Sequence, residues 1–176
     1  AKVSMLSRSM AAFMSAGYVY VGMDHFALPD DALAVAKRQG RLHRNFQGYS
    51  TQPDCDLIGL GVSSIGRIGA TYSQNAKTLE DYYDFLDQGQ FPVVRGLALT
   101  RDDLVRRAVI MALMCQGHVQ FESIDLAFLV DFKSYFAKEL EALQALEVQG
   151  MVVVDESGIQ VTAQGWFFVR AVAMVF

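Results

Sequence analysis

The stretch GMDHFALPDDALAVAKRQGRLHRNFQGY, residues 22–49, constrains the fold most, because it fits a strand end, a short capped helix and a cationic loop into one compact unit. Pro29 opens the helix, Asp30 and Asp31 fall in its first turn, Lys37 and Arg38 in its last, and Gly40 stands just past its end. Carboxylates near the start and cations near the end complement the helix dipole, and a glycine beyond the last turn accepts the conformation that stops a helix. The loop that follows gathers Arg41, His43, Arg44, Asn45, Phe46, Gln47 and Tyr49. Such a density of donors and aromatic faces suits a flat, anionic ligand, so the segment is read as one wall of a binding site.

Charge supports that reading and leaves an alternative. The net charge is −4, yet Lys37, Arg38, Arg41 and Arg44 crowd into residues 37–44. A local field of this kind draws an anion whatever the net charge is. The other reading is a solvated helix end, with the cations placed only to suit the dipole.

On the N-terminal side, Leu6, Met10, Phe13 and Met14 recur at helical spacing within residues 3–16, and Gly17 separates them from the apolar run Tyr18–Val21, read as a strand. On the other side, the run Leu57–Leu60 enters GLGVSSIGRIG. Gly61 and Gly66 have the spacing of a phosphate-cradling loop, but Arg67 and Ile68 stand where Lys and Ser or Thr are required. Ser64 takes the place of the third glycine of a dinucleotide fingerprint, and Ile65 the place of the glycine that follows a nucleophilic serine in an elbow. Two readings remain: close approach of backbone to a cofactor, or a plain tight turn.

Further along, Thr78 with Asp81 starts a helix through Tyr82, Phe85 and Leu86 that ends at Gly89 and Pro92. Thr100 with Asp103 repeats the device ahead of Leu104, Ala108, Met111 and Cys115, which share a helix face, with Cys115 read as core. Phe132, Phe136, Leu140 and Leu143 mark a long helix ending near Gly150. Residues 151–154 and 159–162 flank Asp155-Glu156-Ser157-Gly158 as a hairpin, and Thr162 starts a last helix containing Trp166, Phe168, Val169 and Val172. Helices followed by a hairpin resemble a winged helix. Residues 101–176 hold six Lys/Arg against ten Asp/Glu, however, and a phosphate-binding face needs the opposite balance, so no nucleic-acid partner is expected.

Two cysteines, Cys55 and Cys115, form neither a Cys-x-x-Cys pair nor a disulfide framework, which favours a reducing, cytoplasmic setting. No apolar run reaches the roughly 18 residues of a membrane span, and residues 1–17 lack the zones of a signal peptide. Apolar residues make up 52% of the chain, a slight surplus that points to a partner or to a remainder of the protein. Residue 176 falls inside an apolar helical pattern and residue 1 just ahead of another, so both ends are expected to be cuts in a longer polypeptide.

Over GMDHFALPDDALAVAKRQGRLHRNFQGYSTQPDCDLIGLGVSSIG, RGLALTRDD and GIQVTAQG the sequence resembles the oxygen-independent coproporphyrinogen III oxidases, radical S-adenosylmethionine enzymes of haem biosynthesis. LHRNFQGY carries the most specific part of the likeness. The resemblance implies oxidative decarboxylation of two propionates of coproporphyrinogen III, giving protoporphyrinogen IX. It also implies S-adenosylmethionine and a 4Fe–4S cluster held by a Cys-x-x-x-Cys-x-x-Cys motif. Cys55 and Cys115 cannot supply that motif, so the cluster ligands are expected outside this segment, in a missing N-terminal part of the same protein, and the segment alone is expected to be inactive.

The implied fold is α+β and helix-rich: a distal piece of a radical-SAM β/α barrel over residues 1–74, a connector over 75–97, and a winged-helix-like C-terminal domain over 98–176. By the same resemblance Ile65 packs on S-adenosylmethionine, and Phe46 and Gln47 are active-site positions, one an apolar wall and the other a hydrogen-bonding amide. Arg41 and Arg44 are expected to hold propionates through paired charge-assisted hydrogen bonds, the alternative being surface ion pairs. His25 beside Asp24 is expected to be structural, and no metal-ligand spacing joins it to His43. A non-catalytic tetrapyrrole-binding module is the competing function. Strand edges exposed by the cut would favour a dimer of the segment.

Overall fold

The computed structural model describes residues 2–52 and 55–176; Ala1, Pro53 and Asp54 lie outside the described residues. The elements run α1 (Lys2–Ser15), β1 (Val19–Gly22), β2 (His25–Ala27), α2 (Ala32–Arg38), β3 (His43–Asn45), β4 (Gly48–Ser50), β5 (Ile65–Ile68) and β6 (Thr71–Asn75). After these come α3 (Leu79–Asp87), β7 (Val93–Ala98), α4 (Arg101–Gln116), β8 (His118–Gln120), α5 (Phe121–Phe128), α6 (Phe132–Tyr135), α7 (Ala137–Val148), β9 (Val152–Val154) and β10 (Gly158–Val161). A 3-10 turn (Gly165–Phe168) and α8 (Val169–Ala173) complete the chain. The mixed α+β expectation holds. Among the described residues the strands form small sheets of two or three antiparallel strands, and none closes into a barrel. Tight hairpins join β1 to β2, β3 to β4, β5 to β6 and β9 to β10, and such turns enforce antiparallel pairing, whereas a β/α barrel needs parallel strands joined by helical crossovers.

The chain forms two compact units, one of residues 1–53 with 105–176 and the other of residues 54–104. In the first, α4 from Val105 onward is the central support: Val105, Val109 and Leu113 are fully buried among Phe132, Phe136, Leu143, Val152, Ile159, Val169 and Val172. The antiparallel sheet β8-β10-β9 closes over this core. A second cluster joins Val21, Ala27, Ala34, Ala36 and Leu42 to Cys115 of α4, so Cys115 is core, as expected.

Several boundaries differ from the sequence expectation. Helix α2 begins at Ala32 rather than Pro29, because Asp31 is extended and its carboxylate accepts the Leu33 N–H at 2.8 Å, the role of an N-cap. The segment after it is not a loop but the hairpin β3–β4, with Arg44 opposite Tyr49 and Phe46-Gln47 at the turn. The long helix expected over 132–150 breaks at Phe136, whose φ of −108° and ψ of 29° leave the helical region while its ring stays in the core. Thr162 does receive the Gly165 N–H at 2.9 Å, but a 3-10 turn intervenes before α8. Helix α1 forms as expected, yet Phe13 and Met14 of its apolar stripe are exposed.

In the second unit the glycine-rich stretch is a sheet. Strands β5, β6 and β7 pair in sequence order, and Leu57 bridges Arg67 through two hydrogen bonds of 2.7 Å. A side chain on Gly66 would meet the Leu57 carbonyl at 3.0 Å and Ser73 Oγ at 2.9 Å, so this glycine serves close packing of backbone. Helix α3 starts where predicted, with Thr78 Oγ1 accepting the Asp81 N–H at 3.2 Å.

Leu143 is fully buried, and truncation to alanine leaves a cavity in the larger core. Leu143→Ala should lower unfolding stability by about 2–5 kcal/mol in urea titration. A loss below about 1 kcal/mol would show that the α7 face is not packed as described.

Candidate functional site

The β3–β4 hairpin is built from its turn outward. Asn45 Oδ1 accepts the Gln47 N–H at 2.8 Å and the Gly48 N–H at 3.2 Å, an Asx-type closure that fixes the two-residue turn. Phe46 and Gln47 project from it and are exposed. The base is held by Tyr49, whose hydroxyl donates to the Met114 carbonyl of α4 at 3.0 Å. Burial raises the Tyr49 phenol well above its usual range. Gly22 admits the ring: a Cβ there would collide with the Tyr49 hydroxyl. His25 meets the same ring edge-on at 5.1 Å, and its Nδ1 lies 2.9 Å from Asp24 Oδ1.

The four cations of residues 37–44 separate into distinct environments. Lys37 Nζ donates to the Val21 carbonyl at 2.6 Å and the Tyr20 carbonyl at 3.0 Å, and lies 4.6 Å from the Trp166 ring centre and 5.3 Å from that of Tyr20. It is a structural post between β1 and the C-terminal segment, and burial lowers its pKa. Arg38 donates to the Pro29 carbonyl at 2.7 Å. Arg41 is exposed and clasps the Gln39 side chain with two donors. Arg44 lies over the Tyr49 ring at 5.8 Å, and its buried Nε has no hydrogen-bond partner. A buried guanidinium N–H without an acceptor is costly, so Arg44 is the least satisfied of the four cations.

Ile65 belongs to the other unit, at the head of β5 opposite Gln74. It is half-buried rather than core. Buried Asn75 holds the preceding loop, donating through Nδ2 to the Gly59 and Gly61 carbonyls at 2.9 Å each. The Ser63 N–H donates to the Ala76 carbonyl at 2.7 Å and the Ser64 hydroxyl to the Leu60 carbonyl at 2.6 Å. The strand that carries Ile65 is therefore firmly placed. Sequence inspection had overlooked Asn75, which sits between two turn-forming stretches without any motif of its own.

The structure brings Arg44, Phe46, Gln47 and Tyr49 together on one hairpin, with Arg41 just ahead of it. Among the described residues no group of three or more His, Cys, Asp or Glu side chains is placed to hold a metal, and no helix is long and apolar enough to cross a membrane.

Residues 99–168 match the family model described as the HemN C-terminal domain. Over 99% of the chain the sequence is 49% identical to the oxygen-independent coproporphyrinogen III oxidase of Pseudomonas aeruginosa, and 49% identical to that of Escherichia coli. Along nearly its whole length the chain is similar to these oxidases. It spans 38% of the length of those two relatives. The solved structure of coproporphyrinogen III oxidase (HemN) from Escherichia coli, described as a radical SAM enzyme, superposes with a TM-score of 0.94 at 48% identity, covering 99% of this chain and 40% of that one. The likeness extends over both units, and LHRNFQGY, the string that carried the resemblance most specifically, is the β3–β4 hairpin with the residues leading into it.

The two thiols supply a chemical test of this packing. Burial, partly offset by Arg44 and Lys37, pushes the Cys115 pKa up to about 12 from 9.0, while Cys55 is exposed. The unfolded thiol therefore loses its proton first, and this group's contribution to stability falls as pH rises from 9.0 toward about 12. At pH 8 a thiol reagent should modify Cys55 in the native chain and Cys115 only after unfolding, since the thiolate is the reactive form. Equal native rates for the two would contradict the buried placement.

Proposed function

We propose that this chain is the distal part of an oxygen-independent coproporphyrinogen III oxidase, the intact protein converting coproporphyrinogen III to protoporphyrinogen IX by oxidative decarboxylation of two propionates. The observation that carries this reading is the likeness to those enzymes along 99% of the chain, at 49% identity. In this reading residues 1–74 are the distal part of the catalytic barrel, 75–97 a connector and 98–176 a winged-helix-like domain. The remainder of the same polypeptide is the chain's first partner, and its setting is cytoplasmic.

S-adenosylmethionine and a 4Fe–4S cluster would supply the hydrogen-abstraction chemistry of the intact protein. The described residues do not fit the cluster: Cys115 is buried in an apolar core, Cys55 is exposed, and no third ligand stands with either. The cluster ligands belong elsewhere in the protein, and this chain's residues are assigned binding and orienting roles only. Ile65 suits contact with S-adenosylmethionine, since a half-exposed apolar side chain on a clamped strand offers a flat ring a fixed surface.

Phe46 supplies an apolar wall and Gln47 an amide able both to donate and to accept, placed by the Asx closure of the turn. For a substrate with four carboxylates the two arginines are not equivalent. Arg44 is half-buried on the hairpin with its guanidinium beside the Tyr49 ring, whereas Arg41 is exposed ahead of it with part of its guanidinium held by Gln39. Arg44 is therefore the principal propionate ligand and Arg41 an auxiliary one.

In the intact protein, Arg44→Ala should weaken coproporphyrinogen III binding by about 10-fold or more, as loss of a charged hydrogen-bond donor does, with S-adenosylmethionine affinity unchanged. Arg41→Ala should change it by less than about 3-fold, the scale of an exposed charge. Equal effects of the two, or none, would sink the assignment. Ile65→Asp should reduce S-adenosylmethionine affinity in a folded protein, and normal affinity there would dismiss that contact.

A further inference from the structure

The resemblance gives Tyr49 no individual role, although it closes the string LHRNFQGY. Yet Tyr49 ties the hairpin to a helix far along the chain. Its hydroxyl donates to the Met114 carbonyl on α4, 65 residues away in sequence. Its ring is flanked by His25 at 5.1 Å and by the Arg44 guanidinium at 5.8 Å. On β4 it stands directly opposite Arg44 of β3, so the two side chains share one face of the hairpin. Gly22 supplies the room, since any side chain there would occupy the place of the phenol.

We infer that Tyr49 is a positioning residue: it ties the Phe46-Gln47 hairpin to α4 and holds the Arg44 guanidinium in the orientation that receives a substrate carboxylate. The reasoning is geometric. The Asn45 side chain and the Asn45–Gly48 strand pair close the turn, fixing its local shape and not its place relative to the core. The Arg44 Nε has no hydrogen-bonding partner to orient it, and the guanidinium carbon lies over the Tyr49 ring, 5.8 Å from its centre. A guanidinium binds a carboxylate through a planar fork, so a rotation of that plane removes the second hydrogen bond while leaving the charge in place. Removing the hydroxyl frees the ring from α4, and the fork loses its reference surface. Tyr49 therefore acts through Arg44, and its contribution should vanish when Arg44 is absent.

This inference rests on the proposed propionate role of Arg44, and a double-mutant cycle tests the two separately. The intact protein, Tyr49→Phe, Arg44→Ala and the double variant would each be titrated with coproporphyrin III, a stable tetracarboxylate probe, and with S-adenosylmethionine. Tyr49→Phe keeps the ring and removes one hydrogen bond, so it should fold, with an unchanged far-ultraviolet circular dichroism spectrum. The expected result is about a 3- to 10-fold weaker Kd for coproporphyrin III in Tyr49→Phe, the scale of one net hydrogen bond. S-adenosylmethionine affinity should be unchanged, and Tyr49→Phe should have no further effect in the Arg44→Ala background. In turnover the same variant should raise KM more than it lowers kcat. Wild-type affinity in Tyr49→Phe, or losses that add to those of Arg44→Ala, would overturn the positioning role while leaving the function standing. Failure of the unmodified protein to bind coproporphyrin III would instead overturn the reading on which the inference depends.

Discussion

Helix α4 must satisfy two apolar clusters at once, and the arrangement around the candidate site depends on that constraint. Val105, Val109 and Leu113 repeat every fourth residue and are fully buried in the larger core, while Cys115, supported by Met111, enters the smaller cluster with Val21, Ala34 and Leu42. Burying a valine or leucine contributes about 1.5–3 kcal/mol, so three such residues on one face leave the helix little freedom to rotate. The Met114 carbonyl is fixed by the same packing, and it is the atom that receives Tyr49. The position of a hairpin near residue 46 thus follows from side chains more than fifty residues further along the chain.

Cation placement follows a similar logic. Lys37, Arg38, Arg41 and Arg44 look alike as a basic run, but folding gives them different partners. Lys37 spends its charge on two strand carbonyls and two aromatic faces, Arg38 on a turn carbonyl and Arg41 on a neighbouring amide. Arg44 alone of the four has a buried donor without an acceptor. Folding therefore divides the four cations among different local partners, and Lys37 is taken up by structural contacts rather than left to a ligand. The glycine-rich stretch shows a parallel economy. Its glycines serve strand-to-strand approach and sharp turns held by Asn75, leaving Ile65 as the side chain presented from a rigid support.

Much of this was legible in the sequence where the physics is local. Capping residues located α3 and α4 because a side-chain oxygen three residues from its partner N–H is a short-range signal. The Asp155–Gly158 hairpin was likewise readable from its turn residues. Short strands were not: His43–Asn45 and Gly48–Ser50 are too brief for alternation to show, and their donors and aromatic residues read as loop. The break at Phe136 was hidden because an aromatic stripe keeps helical spacing whether or not the backbone does. The candidate site residues come from the resemblance, whereas the part proposed for Tyr49 rests on its bond to Met114, 65 residues away, which no local pattern announces.

The most direct test of the central claim is a structure of the intact protein with S-adenosylmethionine and coproporphyrin III bound. The account predicts a propionate carboxylate within hydrogen-bond distance of the Arg44 guanidinium, roughly 2.7–3.2 Å, with Phe46 and Gln47 facing the macrocycle and Tyr49 still bonded to Met114. A macrocycle whose carboxylates are all held elsewhere, with the β3–β4 hairpin turned to solvent, would contradict it.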